Sequence, residues 1–128
     1  MPHLELKQLQ FENDTWKRLL GFMMDENIRL KNRLTEVLKD SFDHNLLEEL
    51  ECFQNKFIKE DELIRLMRHE AVEIDQLLAG DKFEKEELKM KLVMKLNHLR
   101  NNIVDAEMQF GTLKICFNHY LSENLQYR

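Results

Sequence analysis

The chain is 128 residues long, with 34% charged residues, three Gly, one Pro and a formal net charge of −5. So few turn-formers exclude an all-β or α/β fold, and the acidic balance excludes a phosphate-neutralising surface for nucleic acid. No apolar run nears the roughly 20 residues of a membrane span.

The first thirteen residues, MPHLELKQLQFEN, lack the apolar core of a signal peptide. Two cysteines, Cys52 and Cys116, are too few for a disulfide framework. A soluble protein of the reducing cytoplasm is expected.

The stretch from Trp16 to Leu38 places Trp16, Leu20, Met23, Asn27, Leu30, Leu34 and Val37 at alternating steps of four and three. That is the seam of a helix packed lengthwise on other helices, and a strand period does not fit it. Leu6 and Leu9 extend the seam toward the N-terminus, whereas Asn13-Asp14-Thr15 resembles an N-cap cluster. The continuous reading is preferred and predicts helix 1 over about 5–40.

A turn is predicted at Asp40-Ser41-Phe42-Asp43. Asp43 caps the next helix, and Phe42 with Leu47 forms a hydrophobic staple across its start. Helix 2, about 43–79, carries the seam Leu46, Leu50, Phe53, Phe57, Glu60, Ile64, Met67, Ala71, Ile74, Leu78, with one polar break at Glu60. Leu63 and Leu77 widen the stripe, as a helix touching two neighbours requires. Gly80 is expected to end helix 2 in the left-handed conformation, and Asp81 with Glu84 to open helix 3 as a capping box. Helix 3, about 82–124, carries Leu92, Leu96, Leu99, Ile103, Ala106, Phe110, Leu113, Phe117, Tyr120, Asn124, and residues 125–128 are expected to fray.

Two short connections force successive helices to run antiparallel. The predicted fold is all-α, a single domain over 1–128. Its three long antiparallel helices form an up-down-up, coiled-coil-like bundle. The 43–79 stretch holds 4 basic and 10 acidic residues, and 82–128 holds 8 and 6. An acidic middle helix is therefore expected beside a mildly basic third one, although exposed pairs stabilise little each.

The turns supply a ruler. Residues of helices 1 and 2 should be level when their numbers sum to about 83, and those of helices 2 and 3 at about 161. Cys52 then falls about 10 Å of helix from Cys116, too far for a disulfide, so free thiols are expected. Asn27 falls near Glu60, with Asn101, Asn102 and Asp105 alongside. Such a layer would specify register, because a buried polar group penalises sliding. No Glu-x-x-His pair of the di-iron bundles is present.

His44, Glu48, Cys116 and His119 fall together on the same ruler. Cys, His and Glu are ordinary zinc ligands, so a zinc-binding sensor or metal-dependent enzyme is the alternative reading. No Gly-rich phosphate loop, Ser-His-Asp arrangement or Cys-x-x-Cys occurs. An enzyme is not expected, and no cofactor is called for.

The most informative pattern is a second stripe on helix 3, opposite its seam: Met90, Met94, Asn97, Asn101, Val104, Met108, Gly111, Ile115. A three-helix protomer leaves this face wet, and unbranched Met suits adaptable contacts. Met90, Met94, Val104, Met108 and Ile115 are therefore the candidate protein-interface residues, for homo-oligomerisation or for another protein. Surface scatter of apolar residues is the plainer alternative. Lys89 to Arg100, with four basic residues and no acid, reads as a solvated face answering helix 2. A membrane-surface helix is the second choice.

Overall fold

The computed structural model describes residues 2–40, 43–80 and 86–124. They form three helices: α1 Pro2–Asp40, α2 His44–Ala79 and α3 Glu86–Asn124. At about 1.5 Å per residue each is roughly 54–59 Å long. Phe42 of the expected staple, the Asp81/Glu84 capping box and residues 125–128 lie outside the described residues.

Asp43 caps α2 as its residue type dictates. It sits in extended conformation, its Oδ1 accepts from the Asn45 N–H at 2.9 Å, and its carbonyl accepts from the Leu47 N–H. Gly80 departs from expectation. Its φ of −76° and ψ of 148° are extended, not left-handed, and its N–H closes a short turn onto the Leu77 carbonyl at 3.3 Å. The helix therefore ends without the conformation that favours glycine.

The three seams meet in one core. Leu20, Met23, Leu30 and Leu34 come from α1, and Leu50, Phe57, Ile64, Met67, Ala71 and Ile74 from α2. From α3 come Leu92, Leu96, Leu99, Ile103, Ala106, Phe110, Phe117 and Leu121. Toward the α2 N-terminus the core is aromatic: Phe57 meets Phe117 edge-on at 5.1 Å, and Phe53 packs tilted on Phe117 and Tyr120. Such pairs add stability beyond the area they bury.

α1 runs through Asn13 unbroken, because the Asn13 side chain caps nothing and instead reaches across to α2. Its Nδ2 donates to the Ala71 carbonyl at 3.0 Å and to Asp75 Oδ1 at 2.8 Å. Asn27 does the same two heptads later, donating to the Phe57 carbonyl at 3.0 Å and Asp61 Oδ1 at 2.6 Å. A lysine four residues on closes each clamp: Lys17 on Asp75 at 2.5 Å, and Lys31 on Asp61. Midway between them Arg68 Nη1 lies 3.1 Å from Met24 Sδ. Along this edge α1 thus presents Lys17, Met24, Lys31, and α2 presents Asp75, Arg68, Asp61.

The clamps embody a repeat in the chain itself, Glu12-Asn13 with Lys17 and Glu26-Asn27 with Lys31. The glutamates face the other way, Glu12 to Arg100 and Glu26 to Lys114 at 3.0 Å. One six-residue motif, used twice, ties α1 to both neighbours. α1 and α2 are antiparallel, α1 and α3 parallel, as an up-down-up bundle requires.

Candidate interaction surface

The α2–α3 register corrects the ruler. Phe53 stands against Phe117 and Tyr120, and Glu73 Oε2 accepts from Lys95 Nζ at 3.2 Å. The ruler had put Phe53 level with about residue 108. It assumed that α3 begins immediately after Gly80, and the observed pairing is shifted by several turns.

This shift removes the zinc alternative. His44 precedes Phe53 by about 14 Å of helix, whereas Phe53 is the residue level with Cys116 and His119. Cys116 and His119 line a groove with Glu49, Cys52, Phe53, Lys56, Tyr120 and Glu123, without His44 or Glu48. His119 pairs instead with Glu123, one turn on, at 3.1 Å. Among the described residues no group of three or more His, Cys, Asp or Glu is placed to hold a metal ion. Burial and the neighbouring Glu49 push the Tyr120 phenol up to about 12. Both cysteines are free and exposed, yet they share this groove, which the ruler did not foresee.

The polar layer is also rearranged. Asn27 pairs with Phe57 and Asp61 rather than Glu60. Asn101 and Asp105 are exposed and Asn102 is half-buried. Glu60 is buried apart from the clamps, and burial raises its carboxyl above the usual range. Burial likewise opposes the Asp75 charge, but hydrogen bonds from Lys17, Gln10 and Asn13 outweigh it and hold that carboxyl low. The Asp75 bond in turn raises Lys17.

The charges of α3 answer α1 more than α2. Among the described residues Lys89 pairs with Glu5, Arg100 with Glu12 and Lys114 with Glu26, while Lys95 reaches α2 at Glu73. The acids of α2 that are most occupied, Asp61 and Asp75, are taken by α1. Of the basic run Lys89–Arg100, three of the four cations are thus engaged within the protomer.

The large apolar residues of the outer stripe of α3 are all exposed: Met90 61%, Met94 69%, Val104 49%, Met108 69% and Ile115 68%. Asn97 and Asn101 between them are exposed and Gly111 is half-buried. Beside the stripe, between α2 and α3, runs a groove of about 730 Å³ lined by Ile74, Met90 and Met94, with Glu70, Glu73, Glu87, Lys91, Lys95 and His98 around them. Val93, at 37% exposure, adds apolar surface at one end. Other exposed apolar residues, Phe11, Phe22, Ile28, Ile58, Leu66 and Val72, are spread over α1 and α2.

Among the described residues no helix is long and apolar enough to cross a membrane. No family model matches the chain, and neither a curated protein nor a solved structure matches it.

Proposed function

We propose that the chain is a non-enzymatic interaction module, a helical rod that docks a protein partner through the outer stripe of α3. The observation that carries this is the exposure of Met90, Met94, Val104, Met108 and Ile115 on a helix whose opposite seam is buried from Leu92 to Phe110 and again at Phe117. These side chains lie at coiled-coil spacing, so the surface suits another helix laid alongside. Met is unbranched and polarizable and adapts to such a partner. Water gains nothing from them, and a partner that covers them gains roughly 25 cal/mol per Å² of apolar surface removed.

The test is the double variant Met90→Lys with Met108→Lys. Both positions are exposed, so helix content and melting temperature are expected to stay at wild-type values. Self-assembly, or retention of a partner co-purified from the source cell, is expected to be lost. An assembly or a bound partner that survives both lysines would overturn this reading, and so would a wild-type chain that is monomeric and partnerless.

A further inference from the structure

We infer that the occupant of the stripe is the stripe of a second copy, laid antiparallel across a two-fold axis between Asn101 and Val104. This rests on the docking reading above and adds the partner and its direction to it. The first support is charge. One flank of the stripe reads Lys91, His98, Asp105, Thr112, and the other Val93, Arg100, Glu107, Lys114. In an antiparallel pair like flanks face each other. His98 then meets the partner's Asp105, Arg100 meets the partner's Glu107, and symmetry repeats both contacts.

Arg100 bridges α1 and the stripe, so only its Nη1 end faces this edge. Its Nε and Nη2 hold Glu12, while its Nη1 donates to Asn97 Oδ1 on the stripe at 2.8 Å. Lys114, at the far end of the same flank, turns inward to Glu26 and faces only the small apolar Val93 of the second copy.

The second support is Gly111. A mid-helix glycine costs roughly 1 kcal/mol against alanine. Beyond its chain neighbours and the adjoining backbone of its own helix, nothing lies within 4 Å of where its Cβ would be, so packing against α1 and α2 does not require it. In the antiparallel pair Gly111 falls opposite the partner's Met94, where a missing side chain leaves room for a long one. Met90 falls opposite the partner's Ile115, and Asn97 opposite the partner's Met108. A parallel pair would instead stack glycine on glycine and Met94 on Met94, leaving a gap at one level and crowding at another. The shared stripe runs for about 38 Å of helix. Such a two-helix contact is at the small end of stable interfaces, so a concentration-dependent dimer is expected.

Sedimentation from micromolar to millimolar protein is the primary measurement, joined to disulfide trapping in a Cys52→Ser, Cys116→Ser background. A reversible dimer is expected. Met90→Cys mixed with Ile115→Cys is expected to cross-link, and Met90→Cys alone is not. Gly111→Leu should raise the melting temperature of dilute protomer yet weaken the dimer at least tenfold. Cross-linking by Met90→Cys alone would overturn the antiparallel arrangement.

A monomer throughout would overturn the second copy. The docking reading would then stand only if a co-purified partner is released by the two lysine substitutions. A dimer indifferent to those lysines would overturn both.

Discussion

Glu60 is the residue whose chemistry most opposes its place. It lies buried at a seam position and burial raises its carboxyl. Its unfolded value is near 4.5. Any stability it contributes is therefore present below about that pH and is lost as pH rises through the higher folded value. Glu60→Gln is expected to stabilise the bundle at pH 7, because it removes a buried charge, with the gain vanishing as pH falls and the glutamate takes up its proton. Thermal melts of the two proteins over that fall in pH check it. Asp75 titrates with the opposite sense. Its folded carboxyl is held low, so its contribution is present above its ordinary value of 3.8 and disappears as pH falls through the folded one.

The two clamp asparagines illustrate a different compromise. Each donates well, but Asn13 Oδ1 and Asn27 Oδ1 are buried and accept no hydrogen bond. Asn27→Leu is accordingly expected to raise the unfolding free energy by about 1 kcal/mol. The double change, with Asn13→Leu, should cost uniqueness: NMR amide resonances along α1 and α2 are expected to double as alternative alignments become populated.

At the scale of the helices, most of the bundle was legible in the spacing of Leu, Ile and Phe. An apolar seam repeats many times, so single errors do not displace it. Leu20, Leu34, Phe57, Ile64, Leu96 and Ile103, all seam positions, are among the most buried side chains. Local cap chemistry was legible at Asp43, where one short side chain decides the outcome. Asp43→Ala should lower stability by about 1 kcal/mol in a denaturant titration. Phe117, fully buried against Phe53 and Phe57, should cost about 3–5 kcal/mol when changed to Ala.

What spacing does not carry is how far one helix is shifted along another. That offset belongs to connection geometry and side-chain fit, so the ruler misplaced α3 and with it the supposed cluster of His44, Glu48, Cys116 and His119. The repeated Glu-Asn…Lys motif was visible in the chain but was divided between two explanations, a cap cluster set aside at Asn13 and a register layer with Glu60 at Asn27. Reading the two together would have paired them with Asp75 and Asp61.

For the whole molecule, the edge where Lys17, Met24 and Lys31 face Asp75, Arg68 and Asp61 works like a vernier. The hydrophobic seam alone would nearly tolerate a displacement of one heptad, about 10 Å. That displacement brings a lysine onto Arg68 and strands an aspartate beside Met24. Only after about 21 Å do the charges agree again, and by then much of the overlap between the two rods is gone. The misalignments nearest to the native one are thus the ones most strongly rejected. A chain collapsing into a hairpin of α1 and α2 meets a steep wall on either side of the correct setting.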